Sequence, residues 1–400
     1  MKKIIVLLGL IITCNSTAQK FDGLAETPPL GWNSWNTFAT DINEQLVKNI
    51  ADKFIELGLK DAGYEYIVLD DGWMAKTRDE HGNLVADPVK FPSGMKALAD
   101  YIHSKGLKFG LYNCAGSKTC AGYPGSRGFE YQDARSYASW DVDYLKYDWC
   151  NTSKLNAEGA YITMRDALKA ANRPIVFSIC EWGDNEPWKW AKDVGHLWRV
   201  TGDIINCWDC EVGHGSWSSW GIWKIINMRK KIRKVAGPGH WNDFDMMEVG
   251  NGMTDAEDRS HFAMWSMLAS PLIMGNDLRN ASKETIKTLT SKEVIAVNQD
   301  KLGVQGFRFT NENNVEIWLK PLEGGNWAMV FVNMEKQAQT ISFDWGKHEI
   351  ADDVSNKQLD VKRETFKIRD LFNQKNLGDT KAVLKVKIES HDVLMIKLEK

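Results

Sequence analysis

Residues 43–73 read NEQLVKNIADKFIELGLKDAGYEYIVLDDGW. Leu46, Ile50, Phe54 and Leu57 recur at the three- and four-residue spacing of one helical face, and Gly58 marks the end, so a helix is expected over 43–59. Directly after it, Tyr66-Ile67-Val68-Leu69 is an apolar run of strand length that stops at two acids, Asp70 and Asp71. The same alternation recurs along the chain. Strands are expected at 30–35, 66–70, 109–113, 144–148, 175–180, 197–201, 241–246 and 272–276, with amphipathic stretches between them. Eight strand–helix alternations within about 275 residues suit a closed (β/α)8 TIM barrel better than an open doubly wound sheet. No GxGxxG follows the first strand, which also argues against a dinucleotide fold and implies no such cofactor.

Beyond Gly306 the pattern shortens to β-type runs at 307–310, 315–319, 327–333, 341–345, 366–372, 383–388 and 393–398, separated by turn signals such as Gly324-Gly325. The reading is a C-terminal antiparallel β-sandwich. The chain thus divides into 1–18, a barrel over 19–305 and a sandwich over 306–400.

The first segment is an address. Lys2 and Lys3 precede the apolar run from Ile4 to Ile12, and Ser16-Thr17-Ala18 supplies small residues for a cleavage after Ala18. Export to the periplasm or medium follows, and loss of two lysines would take the net charge from −3 to −5. A lipid tether at Cys14 is the rival reading, although Thr13 is atypical at the preceding position. No later stretch has the ~18 apolar residues of a membrane helix.

The 400 residues are 43% hydrophobic and 26% charged, which excludes a mainly disordered or fibrous protein. With 50 basic against 53 acidic side chains there is no positive excess to recommend nucleic acid as a partner. Of 18 tryptophans, all but Trp318, Trp327 and Trp345 precede residue 300. Indole rings stack on flat apolar faces, sugar rings among them. An exported chain can hold disulfides, yet the pairing of Cys114, Cys120, Cys150, Cys180, Cys207 and Cys210 is not readable from their spacing. Cys207-x-x-Cys210 lacks the second ligand pair that a zinc site needs, so no metal is assigned.

Active sites of such barrels lie at the C-terminal ends of the strands. This sequence puts Asp70, Asp71, Tyr112, Asp148, Glu181, Asp203 and Asp245 there. Unpaired buried carboxylates are costly, so so many strands ending in acids point to chemistry rather than packing. Lys146 and Asp148 lie two apart on one strand and share a face, which suggests a carboxylate kept ionised as a nucleophile. Arg199, four residues before Asp203, is expected to order that acid or bind substrate hydroxyls. Two carboxylates with flanking aromatics fit glycoside hydrolysis. No HExxH, P-loop or GxSxG offers a competitor, and His240 reads as a hydrogen-bonded structural residue.

Ten strings, in order, carry a resemblance: Leu30-Gly-Trp32-Asn-Ser-Trp35, Tyr64 to Trp73, Lys118 to Gly125, Leu145 to Cys150, Cys180-Glu181-Trp182-Gly183, Trp198 to Asp203, Ala236 to Gly239, Trp241 to Met246, Ser270-Pro271-Leu272 and Asn298-Gln299-Asp300. Together they resemble the secreted α-galactosidases of glycoside hydrolase family 27, with wording similar to plant-type members. The resemblance implies a retaining exo-glycosidase acting on terminal α-D-galactosyl residues of a carbohydrate substrate. It implies Asp148 as nucleophile and Asp203 as acid/base. Trp35, Asp70, Asp71, Tyr112, Lys146, Glu181, Trp182, Arg199 and Asp245 would line the sugar site, with a Cys120–Cys150 disulfide beside it. Gly72 stands where many members have a Cys of a second disulfide, and Phe244 replaces a usual Pro, which would reshape the rim. Asp71, where β-L-arabinopyranosidases carry Glu, leaves room for a hydroxymethyl group. Glu181-Trp182 fill the space that α-N-acetylgalactosaminidases open. A non-catalytic sugar-binding protein is the third reading, and the presence of both carboxylates speaks against it.

Overall fold

Asn43 accepts the Leu46 N–H at 2.9 Å and so caps the first long helix, Glu44–Glu56, which buries Leu46, Val47, Ile50, Ala51 and Phe54. The chain turns at Gly58, whose φ of 72° is left-handed. It then enters a buried strand, and this unit repeats around a barrel. The computed structural model describes residues 20–229 and 231–400. The signal-like segment 1–18, with Cys14, lies outside the described residues.

All eight expected barrel strands form: β1 (Leu30–Asn33), β2 (Tyr66–Val68), β3 (Lys108–Cys114), β4 (Tyr144–Asp148), β5 (Val176–Cys180), β6 (Leu197–Arg199), β7 (Trp241–Asp243) and β8 (Leu272–Met274). They pair in parallel as β8-β1-β2-β3-β4-β5-β6-β7. Closure comes from a parallel bridge between Met247 and Met274, where the Met247 N–H donates to the Ile273 carbonyl at 2.7 Å. Several strands end earlier than their apolar runs. β1 stops because Trp35 opens a short helix, Trp35–Phe38, and β7 stops because Asp245 takes a φ of 81°. The residues just past each end leave the sheet and form the rim.

The C-terminal unit has a six-stranded antiparallel sheet of Phe307–Glu312, Val315–Pro321, Trp327–Asn333, Val393–Glu399, Lys367–Asp370 and Lys375–Asp379, in that spatial order. Gln339–Phe343 pairs with Leu384–Ile388 opposite it. The sequence reading lacks Lys375–Asp379 and the short pair Ile350–Ala351 and Gln358–Leu359. Lys375–Asp379 buries nothing, so it carries no apolar alternation, and only its pairing with Lys367–Asp370 defines it.

The central strands of that sheet are buried on both faces, and alternation sorts their side chains. Ile317, Leu319, Met329, Phe331 and Ile396 enter the sandwich core. Trp318, Ala328, Val330, Val332 and Met395 join the core of the barrel. One hydrophobic core therefore continues across the junction, as expected for strands that read as uninterrupted apolar runs. Arg259 to Asp392, at 2.7 Å, and Arg369 to Glu293, at 2.6 Å, tie the two units at its edge.

Candidate active site

Register assembles the site. Tyr112, Lys146 and Ser178 lie level across β3, β4 and β5, and two residues on, Cys114, Asp148 and Cys180 form the next row. Residues two apart share a strand face, so both rows point into the barrel. Asp70 and Asp71 follow β2, and both are buried. Asp70 takes Lys146 Nζ and Asn33 Nδ2 on one oxygen, each at 2.8 Å, and the Asp71 N–H on the other. Asp71 accepts the Ala121 N–H at 2.8 Å, while its Oδ1 is buried without a protein partner. That atom is an acceptor aimed at the site, and burial pushes its carboxyl pKa up. Trp35 is half-buried and donates its backbone N–H to Asn33 Oδ1 at 2.9 Å. Tyr112 is buried, with its hydroxyl 3.3 Å from Cys120 Sγ.

Asp148 ends β4, nearly buried, and its Oδ1 accepts the Trp149 N–H at 2.8 Å. Cys120 and Cys150 are joined in a disulfide whose two sulfurs lie within 4.8 Å of the Asp148 carboxylate. Sulfurs bonded to each other offer no thiolate, so this group does not make a metal centre. The expected lowering of the Asp148 pKa by Lys146 is not what the geometry gives. Lys146 bonds to Asp70 instead, and burial, which outweighs Lys146 and the Trp149 N–H, raises Asp148 to about 6, with the charge of Asp203 adding to it.

Arg199 ends β6 fully enclosed. One of its terminal nitrogens donates to Asp203 at 3.0 Å and to the Thr201 carbonyl at 3.2 Å, and the same nitrogen forms an ion pair with Asp245 at 2.7 Å. It is therefore an ion-pairing residue as well as an orienting one, a correction to its expected role. Asp245 also accepts the N–H groups of Met246 and of Ile204, the residue after Asp203. One buried carboxylate thus brackets both the cation and the backbone of the neighbouring acid. The Asp203 side chain, by contrast, is 43% exposed.

Glu181 is buried behind the cleft, and its oxygens accept from the Gly183 N–H and from the backbone and side chain of Asn185. Its carboxylate holds a loop, and burial raises its pKa to about 7. Trp182, half-buried with a φ of 61°, is the strained residue of that loop, and strain in a bulky side chain concentrates at functional sites. Phe244, the residue in place of the usual Pro, points into the core. It is buried against Trp265, with ring centroids 6.4 Å apart.

Sequence reasoning left out Asn33, which shares Asp70 with Lys146, and Asp243, which accepts the Asp245 N–H at 2.9 Å. Both sit inside the quoted strings, two residues from a chosen one, a spacing that signals a shared face. It also left out Trp208. The loop after Asp203 is closed by a Cys207–Cys210 disulfide, and Trp208 inside it stacks on Trp223 at 5.3 Å and on His391 of the sandwich at 4.5 Å. Cys114 and Cys180 remain free and buried.

Because Arg199 and Asp245 are both enclosed, Asp245→Ala strands a cation and should cost about 3–5 kcal/mol in urea unfolding. Asp203→Ala removes a half-exposed partner and should cost under about 1 kcal/mol. Equal losses would mean that Arg199 is not held chiefly by Asp245.

Residues 27–300 match the family model described as alpha galactosidase A, and 312–398 match the alpha galactosidase C-terminal beta sandwich domain. Alpha-galactosidase A of Cellvibrio japonicus is 53% identical over 99% of both chains. The crystal structure of alpha-galactosidase I from Mortierella vinacea superposes with a TM-score of 0.86 at 34% identity, covering 94% of this chain and 98% of the other. The α-galactosidase of Saccharomyces cerevisiae, solved with raffinose, gives a TM-score of 0.87 at 30% identity over 95% and 99%. Both units match over nearly their whole length, and this chain belongs to glycoside hydrolase family 27, among the α-galactosidases.

Proposed function

We propose that the chain hydrolyses terminal α-D-galactosyl residues of oligo- or polysaccharides by double displacement, with Asp148 as nucleophile and Asp203 as acid/base. The observation that carries this is the pair itself. A buried carboxylate at the end of β4 feels the charge of a half-exposed one just beyond β6. Asp203 protonates the departing oxygen while Asp148 attacks the anomeric carbon and forms a glycosyl ester. Water, deprotonated by Asp203, then releases the sugar with its configuration kept. The unpartnered Asp71 Oδ1 and the Lys146–Asp70 pair supply acceptors and a donor for sugar hydroxyls. A site built around such groups rejects analogues that lack the matching hydroxyl. The yeast relative solved with raffinose supports a substrate of this class.

In a panel of nitrophenyl glycosides, the α-galactoside should be hydrolysed far faster than the β-L-arabinopyranoside or the α-N-acetylgalactosaminide, and the reverse order would overturn the specificity. On the α-galactoside, kcat/KM should fall below about pH 6. Asp148 attacks only when ionised, and burial holds its pKa near that value, so acidification removes the nucleophile. An acid limb near pH 4 would show that burial does not govern it.

The two roles separate in the alanine variants. Asp203→Ala should still glycosylate itself on a substrate whose leaving group needs no proton, and azide should then give α-galactosyl azide, the retained product. Asp148→Ala should form no glycosyl-enzyme and give at most the β-azide. A sugar mapped to Asp203 by peptide mass analysis would reverse the assignment.

Export is part of the same reading. It is supported by the N-terminal pattern and by two disulfides, Cys120–Cys150 and Cys207–Cys210, which suit an oxidising compartment. Intact mass of the protein from its producing cells should correspond to a chain starting at Gln19. A mass that retains the first 18 residues, or adds a diacylglycerol at Cys14, would overturn soluble export.

A further inference from the structure

Between β6 and β7 the chain throws out a hairpin, residues 211–220, whose two short strands Glu211–Gly213 and Ser218–Trp220 pair with each other. Its outgoing strand is wholly exposed. The return strand is fastened to the acid/base residue. Trp220 donates its N–H to the Asp203 carbonyl at 3.0 Å, and the Ile205 N–H returns to the Trp220 carbonyl at 2.9 Å. The Trp220 ring covers Gly202 so closely that a Cβ there would stand 2.2 Å from it, so only glycine fits before the acid. At the root, the Gly221 N–H bonds the Cys210 carbonyl and the Ile222 N–H the Cys207 carbonyl, which anchors the hairpin to the disulfide-closed loop.

At the tip, Trp217 is 52% exposed. It is nevertheless held in place. Its ring stacks on His214 at 4.1 Å and 25°, and the Trp217 carbonyl accepts the His214 N–H at 2.8 Å. His214 Nε2 lies 2.9 Å from the hydroxyl of buried Ser219. Leaving an indole in water forgoes its burial, and here an exposed indole is fixed by a stacking partner rather than folded onto the barrel. Trp217 lies three positions before Trp220, about 10 Å of strand, so the tip stands near Asp203, whose carbonyl Trp220 bonds.

We propose that this hairpin is a platform for the leaving-group side of the substrate, with Trp217 stacking on a sugar ring beyond the one that departs from Asp203. The inference rests on the α-galactosidase reading, and its occupant is the saccharide portion of the substrate distal to galactose. Contact with a part of the substrate remote from the reacting bond contributes binding that a truncated substrate cannot use.

The test compares Trp217→Ala with the unaltered enzyme on nitrophenyl α-galactoside, which has no distal sugar, and on raffinose, which has two sugars beyond galactose. The aryl galactoside should keep its kcat/KM within about twofold. KM for raffinose should rise about fivefold with kcat unchanged, the mark of lost uniform binding. Trp217→Tyr, which keeps a flat ring, should recover most of that loss. Equal losses on both substrates, or an unchanged KM for raffinose, would overturn the platform. Failure of the unaltered enzyme to cleave either substrate would instead overturn the α-galactosidase reading on which it rests.

Discussion

Five carboxyl groups, those of Asp70, Asp71, Asp148, Asp243 and Asp245, are buried at one end of the barrel, and two enclosed cations, Lys146 and Arg199, are set among them. Removing ions from water is expensive, and pairing offsets the cost only where geometry is close. The molecule places its cations accordingly. Lys146 goes to Asp70 and Arg199 goes to Asp245, each at 2.8 Å or less. Burial opposes the charge of both cations, and the adjoining carboxylates more than restore it, so both are held well above their ordinary pKa values. Burial shifts the acids the other way, and it does so even for Asp245, which is raised to about 6 despite Arg199. Asp71, Asp148 and Asp243 all have burial as the leading cause of a raised pKa. Asp71 and Asp148, which bond no cation, keep carboxylate oxygens open to a substrate.

Asp203, the proposed acid/base residue, is arranged differently, as suits a group that would gain and lose a proton in contact with water. Asp203 lies past the end of its strand on a loop, and three separate supports hold that loop. Asp245 accepts the Ile204 N–H, the hairpin bonds the Asp203 carbonyl, and Trp208 is clamped between Trp223 and His391. His391 belongs to the sandwich and is itself held by Glu257 of the barrel at 2.8 Å. The C-terminal unit therefore reaches the loop of Asp203 through one stacked ring. That contact gives the sandwich a part in ordering the active site, beyond covering the flank of the barrel with Trp318, Val330 and Met395.

Much of this was legible in the sequence, for identifiable reasons. Barrel strands are buried on both faces, so they stand out as apolar runs, and the acids that end them stand out because nothing in packing calls for them. The helix over residues 43–59 announced both its face and its stop. Less legible were features made by pairing alone. The edge strand Lys375–Asp379 has no apolar alternation, and the Trp208–His391 stack joins residues far apart in the chain. The free thiols Cys114 and Cys180 and the bridged pair Cys207–Cys210 could not be told apart by spacing, since register decides which sulfurs meet.

The reversal at Asp148 shows where a one-dimensional argument stops. Two residues on one strand face are neighbours, but the charge on a long flexible side chain goes to the best partner within reach, and β2 brings Asp70 closer to Lys146 in that sense than Asp148 is. The result suits the chemistry better than the simple ion pair would. A carboxylate neutralised by a bonded ammonium would have to give up that bond on becoming an ester. Among the described residues Asp148 has only the Trp149 N–H as a hydrogen-bond donor, and its charge is disfavoured by burial in the resting site. In its proposed role, attack on the anomeric carbon would convert that charge into a neutral ester, so the surroundings that raise its pKa would also favour the step that consumes the charge. Lys146, fixed on Asp70 instead, keeps the site's charge balance without bonding Asp148.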